Sequence, residues 1–359
     1  MNPTLRDALA SAKQTALGYG LSLLGQPAIT RSARERLGHR GIVLMFHHVY
    51  PPAPTRLGAN AGLEISPATL DHVLSELRAQ DYDIVAMDEV PDRLARPRAT
   101  RFAALTFDDG GRDLATLAVP VLLRHEAPFT IYVPTAFADG DGVAWWYAAE
   151  RAALASPRLV LETPGGTRTI KSETWTEKQR AAVELNGILW SLSEPARAET
   201  VARVAAQTGL DLHALTRELY MSWDELAQIA RVPGCTIGAH TLTHPKLTSL
   251  DEPDAAREIA SPRAIFRERL GVDVRHIAYP FGGPEACGER EFALARAAGY
   301  DTGVTTRRGV LQDGDDLLRI ERVPINGLFQ ADTMIDALVS GVPTMLERHA
   351  RALQVRAAR

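Results

Sequence analysis

Seven short runs of apolar, β-branched or aromatic residues punctuate the chain: IVLMF (42–46), YDIVA (82–86), FAALTF (102–107), FTIYV (129–133), CTIGA (235–239), HIAY (276–279) and TGVTT (302–306). Unbroken apolar runs of this length mark strands covered on both faces, as in parallel sheets. Between most of them the pattern shifts to a helical period. Ser66 and Pro67 open SPATLDHVLSELRAQ as N-cap and first helical residue. Ser222 and Glu225 stand at capping-box spacing, and Gly271 and Gly299 end two further helices. Alternating strand and helix predicts an α/β domain with a parallel sheet, open or closed into a barrel.

From residue 138 to 220 this rhythm breaks. No buried strand is expected there, and TEKQRAAVELNGILWSLSEPARAETVARVAAQTGLDLHALTREL carries a helical pattern. The expected organisation is an N-terminal helical segment (1–40), a barrel from 41–137 and 221–330, a helical insertion (138–220) and a C-terminal helix (331–359). All five tryptophans fall in or just beyond the insertion. Packing accounts for most of them, with the Trp145–Trp146 pair a candidate sugar platform.

Composition narrows the class. The chain has 359 residues, 45% hydrophobic and 23% charged, as globular proteins do. A net charge of −4 leaves no global basic field for nucleic acid. The two cysteines, Cys235 and Cys287, are too few for a disulfide framework. No apolar stretch reaches the roughly 18 residues of a membrane span. Asp7, Lys13 and Gln14 interrupt any secretory signal. A cytoplasmic protein is expected. Leu5, Leu9, Ala12 and Ala16 recur at helical spacing. An amphipathic helix lying on the domain's own surface is the first expectation, and peripheral contact with the inner membrane through residues 1–30 the second.

Chemistry gathers where strands end. Asp108 and Asp109 follow run 102–107, His240 and His244 follow run 235–239, His47 and His48 follow run 42–46, and Tyr279, Pro280 and Phe281 close run 276–279. Sites in parallel α/β proteins form at the carboxyl ends of strands. Two histidines at i and i+4 plus one carboxylate form a ligand set used by catalytic zinc. Such a site explains the adjacent acids: one binds the cation, the other takes a proton from water.

These residues resemble the polysaccharide deacetylase family, the NodB-homology group of carbohydrate esterases. Leu105-Thr106-Phe107-Asp108-Asp109-Gly110 resembles its TFDDG motif, His240-Thr241-Leu242-Thr243-His244-Pro245 its HTxxHP motif, and Tyr279-Pro280-Phe281-Gly282 the YPFG form of its third. The resemblance runs from about Gly41 to Asn326, without the insertion. It implies a distorted (β/α)7 barrel. It implies Asp108 as general base, Asp109, His240 and His244 as metal ligands, and the Phe281 N–H as an oxyanion donor. Ala278 stands where many members carry a base-orienting arginine, so Arg319 and Arg322 are candidates for that contact. LMFHHV (44–49) resembles the early histidine motif of a rearranged branch. It makes His47 the proposed acid, with His48 a neighbour or substitute.

The implied activity is metal-dependent removal of N-acetyl groups from amino sugars of a poly- or oligosaccharide of chitooligosaccharide or exopolysaccharide type. Tyr279, Pro280, Trp145 and Trp146 are candidate substrate contacts. Zinc fits the ligand types, and cobalt, nickel or iron would fit the same atoms. The alternatives are deformylation or deacetylation of a lipid-linked sugar in envelope glycan assembly, and non-catalytic carbohydrate binding on the same fold.

Overall fold

Seven parallel strands close into a ring. The structure is a computed structural model and describes residues 3–53, 57–96, 100–163 and 166–357. In chain order its strands are β1 (Gly41–Phe46), β2 (His48–Val49), β3 (Glu64–Ile65), β4 (Asp83–Val85), β5 (Phe102–Phe107), β6 (Phe129–Val133), β7 (Arg158–Thr163), β8 (Gly166–Lys171), β9 (Cys235–Ala239), β10 (His276–Ala278), β11 (Thr302–Arg308) and β12 (Ile320–Pro324). The ring runs β1-β12-β11-β10-β9-β6-β5 and returns to β1, with helices around it. The expected (β/α)7 barrel is therefore the observed fold, although its seven strands are not all those read from the sequence. β4, from run 82–86, lies outside the ring. It pairs with residues 102–104 of β5, while β6 pairs with residues 105–107. The ring's last place goes to β12, whose IERVP sequence puts a Glu–Arg pair where an apolar run would advertise a strand.

Residues of one parity in each strand face the lumen and those of the other face the helices. Val43, Ala104, Tyr132, Ala278, Val304 and Ile320 form the inner cluster. Leu44, Leu105, Ile131, Ile237, Ile277 and Val323 belong to the outer core, packed under helices. Gly238 has inward parity, and a Cβ there would stand 2.5 Å from the Tyr132 ring. The lumen is filled by side chains, so chemistry is confined to its rim.

The segment between β6 and β9 builds its own core. Ala149, Ala152, Leu185, Leu189 and Val201 pack together with Leu159, Leu161 and Ile170. The last three belong to the antiparallel hairpin β7–β8. That hairpin corrects the reading of a strandless insertion. Only Ile170 of β8 is buried, too thin an apolar signal to mark a strand. The chain ends likewise hold more elements than expected. Helices Pro3–Leu24 and Pro27–Leu37 precede the barrel, and helices Asp332–Val339 and Val342–Ala357 follow it, parted at Gly341 with φ +70°. No helix among the described residues is long and apolar enough to cross a membrane.

Candidate active site and metal centre

Strand parity carries several of these side chains to the lumen's rim. Counting by twos along β5 from Phe102 reaches Asp108, along β9 from Thr236 reaches His240, and along β1 from Gly41 reaches His47. Asp109 would face outward, but its φ of +72° turns the chain. Thr241 (φ 65°), His244 (62°) and Phe281 (60°) adopt the same left-handed conformation. These four are among the six non-glycine residues with positive φ in the described chain, a concentration of backbone strain where function commonly resides.

Asp109 Oδ1 lies 3.4 Å from His240 Nε2 and 3.3 Å from His244 Nε2. All three residues are buried, and Asp109 Oδ1 has no hydrogen-bond partner. Donor atoms around a four-coordinate zinc, each about 2.0–2.1 Å from the ion, sit roughly 3.3 Å apart. An orphaned buried carboxylate oxygen at that spacing from two imidazoles fits a divalent cation. No other cluster of His, Cys, Asp and Glu among the described residues has ligand spacing. His240 Nδ1 is 2.7 Å from the Ala278 carbonyl oxygen. A carbonyl can only accept, so the proton sits on Nδ1 and Nε2 presents its lone pair to the centre. Burial works to raise the Asp109 carboxyl, but the two imidazoles outweigh it and hold it well below the usual range.

Arg322, on β12, is fully buried. Its two terminal nitrogens donate to both oxygens of Asp108 at 2.8 and 2.6 Å. Bonds to Thr305 O (2.8 Å) and Thr106 Oγ1 (3.0 Å) fix the guanidinium. Burial opposes ionisation of Asp108, and Arg322 overcomes it, so the carboxyl is lowered below its ordinary value. Ala278 lies on β10, two strands from β12 around the ring, and the arginine that pairs with Asp108 comes from β12 instead. Arg319, the other candidate, pairs with Glu289 at the surface and does not reach the site.

His47 Nε2 stands 4.0 Å from Asp108 Oδ2 and is partly open to solvent. Burial holds its imidazole below the ordinary value against the pull of Asp108. His48 points the other way and is wholly enclosed among Tyr50, Tyr147 and Tyr220, which removes it as a substitute acid. Its Nδ1 meets Asp113 Oδ1 at 2.7 Å, and Asp113 Oδ2 accepts the Val49 N–H at 2.6 Å. Burial disfavours charge on His48, but Asp113 prevails and raises the imidazole. Asp113 thus ties the loop bearing His47 to the loop bearing the paired acids.

Glu258, unmarked by any sequence motif, braces the histidine loop. It accepts the N–H groups of Leu242 and Thr243, each at 2.9 Å, and the Thr243 hydroxyl at 2.8 Å. Phe281 packs on His244 with ring centroids 4.8 Å apart, and its N–H meets no acceptor among the described residues. Tyr279 departs from the expected substrate contact, and Pro280 follows it in the chain. Both are buried, and Tyr279 turns outward to donate to Leu318 O at 2.8 Å, away from the lumen's rim. Trp146 is buried against His244, and Trp145 and Trp190, half-buried, flank Phe281. Trp175 and Trp223 lie elsewhere, the first exposed and the second packed on Phe266.

Comparison with known proteins gives a sequence match and a fold. Residues 195–303 match the family model described as polysaccharide deacetylase. The resemblance to the polysaccharide deacetylases holds. The matched span contains His240, His244 and Phe281, whereas Asp108 and Asp109 lie upstream and join them through the fold. Among solved structures, the Streptococcus pyogenes deacetylase PplD in complex with acetate is similar at 19% identity and TM-score 0.53, over 80% of this chain and 92% of that one. IcaB from Ammonifex degensii is similar at 20% identity and TM-score 0.52, over 84% and 97%. A de-N-acetylase from Aggregatibacter actinomycetemcomitans is similar at 12% identity and TM-score 0.52, over 83% and 99%. At these identities the likeness concerns the fold. No curated protein matches the sequence.

Proposed function

We propose that the chain is a metal-dependent hydrolase that removes N-acetyl groups from amino sugars of a poly- or oligosaccharide. The observation that carries this reading is the meeting of two units at one rim: the Asp109–His240–His244 cluster, and Asp108 gripped by Arg322. The polysaccharide deacetylase match over residues 195–303 supports it. So do the names of similar folds, a deacetylase and a de-N-acetylase.

Asp109, His240 and His244 would hold the ion, with zinc the best fit to one carboxylate and two imidazoles. A bound divalent cation supplies Lewis acidity and lowers the pKa of a water to about 7. Asp108, kept ionised by Arg322, accepts the proton of the water that attacks the acetyl carbonyl carbon. The Phe281 N–H, free of other partners, donates to the oxyanion that develops. His47, 4.0 Å from Asp108, passes the proton taken from water on to the amide nitrogen as the carbon–nitrogen bond breaks, releasing free amine and acetate. Trp145 and Trp190 provide apolar walls beside this centre.

An amine-release assay on N-acetylglucosamine oligomers, with and without chelator, tests the reaction. Activity should vanish with chelator and return with zinc. Asp108→Asn should abolish turnover while metal content stays at one ion per chain. Amine release undiminished by chelator or by Asp108→Asn would overturn the proposal.

A further inference from the structure

Helix Pro3–Leu24 is docked by the face opposite its apolar stripe. Gly18 and Gly25 are buried against helix Asp332–Val339. A Cβ at Gly18 would stand 3.0 Å from Met334 Cε, and one at Gly25 would overlap the Thr333 carbonyl. Leu21, on the same side, is partly buried against the core. Ala12, Ala16, Tyr19 and Leu23, spaced four, three and four residues apart, share the other side and are exposed. Tyr19 is 76% exposed and Leu23 63%, among the most open large apolar side chains described. In sequence the same spacing runs back through Leu9 and Leu5. The helix was expected to bury its stripe on its own domain; instead Ala12 and Ala16 face solvent, and the side chains of Leu5 and Leu9 lie outside those described.

Charge divides along the same line. Residues 1–40 contain six Lys and Arg against two Asp and Glu, and residues 341–359 contain four against one. The whole chain is −4, so the 300 residues between carry −11. Helix Pro3–Leu24 packs beside both C-terminal helices, which brings the two basic segments together with Asp332 and Asp336 into one layer, residues 3–37 and 332–357, of net charge +3. An apolar helical stripe within a basic layer, on an otherwise acidic protein, is the signature of a surface for anionic lipid.

We infer that the layer formed by residues 3–37 and 332–357 docks on an anionic lipid bilayer, with Ala12, Ala16, Tyr19 and Leu23 entering the headgroup boundary. This stands independently of the deacetylase reading, because no residue of the layer touches the site described above.

The test is co-sedimentation of the full chain with vesicles of phosphatidylcholine alone, or mixed with phosphatidylglycerol. Binding should be at least tenfold tighter to the mixed vesicles at low salt and should weaken at high salt. Tyr19→Glu/Leu23→Glu should lose at least tenfold of that binding, with amine release from soluble oligomers and melting temperature unchanged. Tyr19→Trp emission should shift to the blue only with anionic vesicles. Equal partition of wild type and double variant would overturn the inference. So would sedimentation velocity showing a dimer that Leu23→Glu dissolves, because the stripe would then be the seat of a second copy.

Discussion

Arg322 and Asp108 form a two-pronged ion pair that joins β12 to the end of β5, both members essentially without solvent contact. Breaking such a pair strands a buried charge, whereas removing both members costs less. Arg322→Met should lower stability by about 3–5 kcal/mol in chemical denaturation. Asp108→Asn/Arg322→Met should lose measurably less than the sum of the single variants. Strict additivity would show that the two side chains are not coupled. Arg322→Lys, unable to reach both oxygens, should keep the fold and lower kcat by about 10²-fold or more.

Glu258 bears on the candidate metal centre through the loop it braces. Glu258→Ala removes three acceptor contacts from residues 242–243, leaving His244 less fixed. Zinc affinity in chelator competition should fall by about 10–100-fold, the usual effect of an outer partner of a ligand. An unchanged affinity would reduce Glu258 to a helix residue with no bearing on the site.

Gly238 is predicted to tolerate no side chain. Gly238→Ala drives a methyl group into the Tyr132 ring. Destabilisation by about 1–3 kcal/mol follows from overpacking. Gly238→Ala/Tyr132→Leu should recover part of it in thermal melts, since the obstructing ring is gone.

His39 sets a pH dependence of stability. Burial lowers its imidazole from 6.5 to about 4, with Arg101 adding to the effect. The folded state therefore favours the neutral ring. Its contribution is complete above pH 6.5 and is lost as pH falls from 6.5 towards 4. Between pH 7.5 and pH 5 this amounts to at most about 2 kcal/mol. His39→Gln should flatten the denaturation midpoint across that interval, whatever it does to stability at pH 7.5.

Much of the barrel could be read from the chain because parallel strands buried on both faces are dominated by apolar and β-branched residues, and six of the ring's seven strands carry such runs. β12 escaped because its parity places Arg322 in the lumen and Glu321 outside, interrupting the run. The same counting by twos, applied to run 276–279, would have placed Tyr279 with Ile277 in the outer core and away from the lumen's rim. The motif residues at the rim were legible as types at spacings. Their convergence was not, since it rests on left-handed turns at Asp109 and His244, a conformation these residue types enter more often than most but still too rarely for the sequence to place it. Glu258 and Asp113 were illegible for another reason: each acts through backbone amides or a ring brought to it only by tertiary folding.

The strand that shuts the ring is also the last of the barrel to leave the ribosome, and it bears the arginine that pairs with Asp108. A nascent chain halted anywhere before residue 322 would carry every histidine and aspartate of the candidate centre yet lack the guanidinium that grips both oxygens of Asp108. Barrel closure and the pairing of Asp108 are thus one event, since a single strand brings both.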